Sequence, residues 1–427
     1  MVSLQRSFGV GSLVVALLFA LLLAGCTDMS GGADQQIRAT SVLSGAQMLV
    51  KTGFEGVQGK NVGLIVNHTS RVGKDHLIDV LSASEEVNLV ALFGPEHGIR
   101  GDEDAGAKIE DGIDDATGVP VYSLYGANRR PTPEMLTGVD ALVFDIQDVG
   151  ARFYTFISTM GLSMQSAAEA GIPFIVLDRP NPLGGNEIEG FVLDTTHTSF
   201  VGQYPIPVRY GLTMGELALM IKGEQWIPGI ENLDLRVIKM SGWSRNMLWP
   251  DTELEWIPTS PNLPTFESAL MYPGTCYFEA TTASEGRGTE LPFLTVGAPW
   301  MNASRVAVPE IDGLRLIPGK TTPVEMPGKS SSPKWMDIEI NSLSIEITDL
   351  RALQPVSAGL ELIARMYSAA PADIQASLFN ERWMTLLGGT DQLTQRLKEG
   401  LSATDFQELW KEELDEFDAL RKPYLLY

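Results

Sequence analysis

Apolar and polar positions alternate in blocks along the first half of the chain. NVGLIVNH (61–68), VNLVALFGPEH (87–97), VPVYSLYG (119–126), ALVFDIQDVG (141–150) and PFIVLDRPNP (173–182) are short apolar runs that end in polar or turn-forming residues. Their length and their β-branched and aromatic content predict strands. Between them the pattern predicts helices near 71–84, 131–138 and 158–171, with Thr132 as an N-cap and Pro133 at the first helical position. Continuous apolar strands separated by helices predict a parallel sheet covered on both faces. Thr213-Met214-Gly215-Glu216 then reads as a capping box opening another helix. From about residue 226 the pattern changes. LRVIKM, FLTVGAP, GLRLIPG and WMDIEI are strand-like pieces between Pro-rich loops, helices return near 355, and Ser402 caps a last one. This predicts a second α/β domain over 226–427, after a first over 41–225.

The N-terminus differs from both. Arg6 precedes an apolar run from about Val10 to Ala24, the layout of a secretory signal peptide over residues 1–25. Leu23-Ala24-Gly25-Cys26 resembles the bacterial lipoprotein signal, in which cleavage precedes a Cys that then carries lipid. Residues 26–40 read as a polar, flexible tether. The expectation is a cell-envelope protein held to a membrane by lipid on Cys26. Cys276, the second of two cysteines, is expected to be a buried, inert thiol.

Charge narrows the partners. A net charge of -23 opposes phosphate backbones and argues against nucleic acid. A small anionic ligand held by local arginines stays open. No GxGxxG follows the first strand, so no dinucleotide cofactor is expected.

Candidate chemistry gathers at strand ends, the edge where parallel sheets bind ligands. The first run ends in Asn67-His68, the second in Glu96-His97. The fourth ends in Asp145-Ile146-Gln147-Asp148, with Arg152 after it, and the fifth in Asp178-Arg179-Pro180-Asn181. LGGNEIEGF (183–191) brings Glu187 and Glu189 between glycines, and SEGRGTELP (284–292) does the same for Glu285 and Arg287. GxSxG and HExxH are absent, and His68, His97, Asp145 and Asp148 follow no zinc spacing, so no metal is expected. Paired carboxylates remain, one to donate a proton and one to attack or activate water. That arrangement serves glycoside hydrolysis. A lipid-anchored binding protein for cell-wall sugars and a metal-dependent hydrolase are alternative classes.

FGPEHGIRG, FDIQDVGARFYTF, LDRPNPLGG with IEG, PVRYGLTMGELA, WIPTSPNLP and TTASEGRGT resemble, in order, the signatures of the exo-β-N-acetylmuramidase (NamZ-like) family, glycoside hydrolase family 171, formerly a domain of unknown function. The resemblance runs from about residue 42 to the C-terminus. It implies a Rossmann-like domain paired with a smaller α/β domain, a cleft between them, and release of terminal N-acetylmuramic acid from peptidoglycan fragments. It implies Glu96 as the catalytic acid, with Glu189 as the second carboxylate and Glu285 as its competitor. Arg152, Arg209 and Arg287 are the motif arginines expected to meet the lactyl carboxylate. Asn67, His68, His97, Asp145, Asp148, Asn181, Tyr210 and Asn262 are expected to contact the sugar.

Overall fold

A computed structural model describes residues 41–95, 98–100, 111–126 and 128–427. The predicted signal peptide, the tether with Cys26, and Glu96 and His97 lie outside the described residues. Among those described, the strands in chain order are β1 (Asn61–Val66), β2 (Arg71–Val72), β3 (Asp75–His76), β4 (Asn88–Gly94), β5 (Gly112–Ile113), β6 (Pro120–Ser123), β7 (Ala141–Asp145), β8 (Phe174–Leu177), β9 (Leu235–Ile238), β10 (Thr295–Ala298), β11 (Leu314–Thr321) and β12 (Ile340–Ile347).

Seven of them form one sheet in the order β5-β6-β4-β1-β7-β8-β9, parallel except where β5 pairs with β6. Without β5, the order in chain sequence is 3-2-1-4-5-6, the Rossmann arrangement. The chain leaves β1 in one direction and returns to its other side at β7, so the switch point lies between the ends of β1 and β7.

The apolar runs fold this way because both faces are covered. On β1, Val62, Leu64 and Val66 pack with Leu49, Ile78 and Leu81 on one face, while Ile65 joins Phe93, Leu142, Phe144 and the helix Phe156–Ala170 on the other. β7 and β8 divide in the same period-two manner, Val143 and Ile175 to the first face, Phe144 and Phe174 to the second. A strand with two buried faces reads in sequence as an unbroken apolar run.

Several expectations change. The segment predicted as a helix over 71–84 is a tight β2–β3 ladder followed by a short helix, Leu77–Ser82. Residues 131–138 form a turn, in which Leu136 N–H bonds back to the Thr132 carbonyl at 3.2 Å. β9, from beyond residue 225, completes the large sheet by pairing with β8. β10, β12 and β11 form a separate antiparallel sheet in that order. The capping boxes at Thr213 and Ser402 are both present, and Cys276 is a buried free thiol.

Candidate active site

The ends of β1, β7 and β8 are laced into one polar edge. Ser70 Oγ donates to the Asp145 carbonyl, and Gln147 N–H donates to Thr69 Oγ1 at 3.0 Å. Gln147 Nε2 donates to the carbonyls of Asp148 and Pro180, each at 2.8 Å. Arg179 closes on Asp145 through Nε–Oδ1 at 2.5 Å and its NH2 to Oδ2 at 2.8 Å. A buried bidentate pair of this kind fixes both side chains and occupies Asp145 fully. Among the described residues, His, Cys, Asp and Glu form no group of three that could hold a metal ion.

Asp148 sits one turn further on. It accepts from Gly150 N–H at 2.6 Å and from the Tyr210 hydroxyl. Burial pushes its carboxyl up to about 6, against the pull of those donors. Gly150 has φ +79°, and a Cβ there would lie 2.4 Å from Asn181 Oδ1, so the turn needs glycine. Asn181 itself is structural. It donates to the Leu212 carbonyl and accepts from Leu183 N–H.

Among the described residues, three buried atoms at this edge lack a hydrogen-bond partner: Asn67 Nδ2, Gln147 Oε1 and Asp148 Oδ1. Buried polar groups are almost always paired, so a cluster of unmet capacity at a switch point marks a place for a polar ligand. Beside it opens a shallow cleft with a cavity volume of about 90 Å³. Thr69, Arg71, Gln147 and Arg179 line it from the sheet edge. Trp249, Leu254, Glu255 and Ile257 line it from the segment that leads into and begins WIPTSPNLP. That loop is tied to the edge where His68 Nε2–H donates to the Pro258 carbonyl at 2.6 Å and the Tyr154 hydroxyl to Thr259 Oγ1 at 3.0 Å. Asn262, in the same loop, donates to the Lys329 carbonyl at 2.7 Å, and its buried Oδ1 has no partner among the described residues.

The remaining expected site residues have other duties. Arg152 is fully buried and holds three carbonyls, those of Phe191, Ile206 and Leu387. It ties chain segments together. Glu189 is 1% exposed. Its carboxylate accepts from Val356 N–H (3.2 Å), Ser357 N–H (2.8 Å) and Ser357 Oγ (3.0 Å), and so caps the helix Pro355–Ala369. Its own backbone pairs with Arg209, another buried residue, whose NH2 donates to the Leu183 carbonyl. Glu285 is buried between Lys334 Nζ at 3.1 Å and Arg287 Nε at 3.5 Å, and Arg287 also binds Glu279 at 2.8 Å. Placement between glycines suggested open loops for Glu189 and Glu285; the structure instead commits both carboxylates to protein partners.

The motifs did not single out Arg71, Gln147, Trp249 or His76. Arg71 was hidden in a stretch with helical appearance. His76 supports the end of β1: its Nε2–H donates to the Asn67 carbonyl at 2.9 Å while Nδ1 accepts from Ile78 N–H at 3.2 Å. The second bond requires the neutral ring, since Nδ1 can accept only while it carries no proton. Burial lowers its pKa to about 4, against the pull of the Asn67 carbonyl, with the Arg71 and Arg100 charges lowering it further. The folded state therefore binds fewer protons than the unfolded one between about pH 6.5 and 4. This stability is fully present above that window and is lost as pH falls through it. Relative to a His76→Gln variant, the wild type should lose about 2–3 kcal/mol between pH 7 and 4. Denaturant titrations of both proteins across that range check this; a constant difference would show that the ring does not titrate this way.

Comparison with known proteins gives the fold and the site a family. The profile described as Exo-beta-N-acetylmuramidase NamZ, N-terminal, matches residues 62–267, and that described as its C-terminal region matches 270–427. A peptidoglycan beta-N-acetylmuramidase NamZ from Bacillus subtilis is 39% identical over 422 residues, covering 97% of this chain and 99% of its own. Two crystal structures of DUF1343 family proteins from Bacteroides fragilis superpose with TM-scores of 0.82 and 0.76 at 37% and 34% identity, each over 91% of this chain and 99% of the other. With both halves matched in order over nearly the whole described chain, the protein belongs to the exo-β-N-acetylmuramidase NamZ family.

Proposed function

We infer that this protein is a glycoside hydrolase that removes terminal N-acetylmuramic acid from the non-reducing end of peptidoglycan fragments. Family membership along both halves of the chain carries this reading. The unmet polar atoms of Asn67, Gln147 and Asp148 support it, because a sugar offers hydroxyl and amide groups that pair with them. The adjoining Trp249 and Leu254 suit the C–H face of a pyranose.

In this reading Glu96 is the general acid. It follows Gly94-Pro95 at the end of β4, the neighbour of β1, so it belongs in sequence to the ligand-binding edge of the sheet. Its carboxyl gives a proton to the glycosidic oxygen as the bond from that oxygen to the muramic anomeric carbon breaks. Water supplies the hydroxyl that the released sugar gains. Incubation with the disaccharide that carries N-acetylmuramic acid at its non-reducing end should give two monosaccharides by mass spectrometry. The disaccharide of reversed order should stay intact. Cleavage of both, or of the reversed one alone, would sink the reading.

We also propose that the mature chain is lipid-anchored through Cys26. The lipobox-like Leu23-Ala24-Gly25-Cys26 supports this, as does a substrate outside the cytoplasm. Cys26→Ala should release the protein from membranes or leave the precursor uncut. Unchanged membrane fractionation and mature mass in that variant would rule the anchor out.

A further inference from the structure

Two guanidinium groups line the cleft at the switch point, and they are not equivalent. Arg179 is bound through two nitrogens to the fully buried Asp145 and donates a third bond to the Arg71 carbonyl at 3.2 Å. Its charge is already matched. Arg71 forms no ion pair among the described residues. Its Nε–H donates to the His68 carbonyl at 3.0 Å, which orients the guanidinium plane. Among the described residues its two terminal nitrogens make no hydrogen bond. The root of the side chain is held as well: Arg71 N–H donates to the Thr69 carbonyl at 2.8 Å, and the residue pairs with His76 across the β2–β3 ladder. The result is a half-buried, oriented cation whose outer edge no described residue engages.

We propose that Arg71 reads the lactyl carboxylate of N-acetylmuramic acid and thereby sets specificity for muramic over glucosamine residues. This rests on the glycosidase reading above. A carboxylate has two oxygens in a plane, and the unused edge of a guanidinium offers two donors in the same spacing. The lactyl group also carries a methyl, and Leu254 and Ile257 provide apolar surface in the same cleft. Glu255, the exposed carboxylate of that lining, faces solvent, where its repulsion is screened. Of the three arginines first expected in this role, Arg152 holds three carbonyls, Arg209 is buried with its NH2 on the Leu183 carbonyl, and Arg287 is paired with Glu279 and Glu285.

The test is a cycle between the protein and the substrate. The wild type, Arg71→Gln and Arg71→Lys are assayed on a chromogenic β-N-acetylmuramide, on its lactyl methyl ester and on the matching glucosaminide. Loss of one charge-assisted bond gives about a ten- to hundredfold effect. The wild type should lose that factor in kcat/KM on esterification, chiefly through KM. Arg71→Gln should lose it on the free acid and be indifferent to esterification. Arg71→Lys should recover part of the activity on the free acid. If Arg71→Gln proves unstable by thermal melting, the wild-type and Arg71→Lys responses to esterification decide, since a lysine without the planar fork should show a smaller ester effect. An ester effect of equal size in wild type and variants would overturn the assignment of Arg71. A wild type without activity on any muramide would overturn the glycosidase reading instead.

Discussion

Replacing Glu96 with Gln should lower kcat at least about a hundredfold on a natural disaccharide, because general acid–base groups contribute about 10²–10⁴-fold. The substitution keeps size and hydrogen-bonding capacity and removes only the proton that can be given up. The leaving group sharpens the test. A sugar hydroxyl is a poor leaving group and needs protonation as the bond breaks, whereas nitrophenolate departs without it. The loss on a nitrophenyl muramide should therefore be clearly smaller than on the disaccharide. Equal losses on both would make Glu96 a base or nucleophile, and an unchanged kcat would remove it from the chemistry. On either side of this position, β4 is buried over its last residues, and Gly98, at φ +72°, donates its N–H to the Pro95 carbonyl at 3.1 Å.

Glu189 should behave in the opposite way. Glu189→Ala should damage folding, with any loss of activity following from that. The carboxylate accepts three bonds at the start of the helix Pro355–Ala369, whose own N-cap residue, Gln354, supplies no side-chain bond. It also balances the buried Arg209, whose Nε already lacks a partner. Removing it strands helix N–H groups and leaves a buried cation uncompensated, at about 3–5 kcal/mol. For a unit of this size that corresponds to a fall in Tm on the order of 5 °C. Circular dichroism melting checks the first effect, and kcat on the folded fraction checks the second. A variant that melts like the wild type but loses its turnover would restore Glu189 as a catalytic group.

The contrast between these two residues shows what the sequence carries. Strand ends are local features. β1, β4, β7 and β8 each show an apolar run and a polar terminus within about ten residues, so the sheet and the place of Asn67, His68, Asp145 and Asp148 at its strand ends could be read directly. Partners are not local. Glu189 meets Val356 and Ser357 at sequence separations of 167 and 168, and Arg152 meets the Leu387 carbonyl at 235. No pattern around either residue signals that distant contact. Polar side chains bracketed by glycines look like exposed loops until a helix from the other half of the chain covers them. Arg71 was concealed by a different effect. RVGKDHLIDVLS has helical spacing throughout, yet Gly73 at φ +62° closes a hairpin and delays the helix to Leu77. The position of β9 follows the same logic, since its place beside β8 is decided by pairing across the sheet, and its own sequence does not carry that information.

The central claim is that the cleft at the β1–β7 switch point belongs to an enzyme that recognises and releases N-acetylmuramic acid. The most direct measurement compares initial rates of the mature protein on a chromogenic β-N-acetylmuramide and on the glucosaminide that differs from it only by the lactyl group. The account predicts turnover of the muramide with kcat/KM about ten- to a hundredfold or more above that for the glucosaminide. Equal rates on the two sugars, or turnover of the glucosaminide alone, would contradict it.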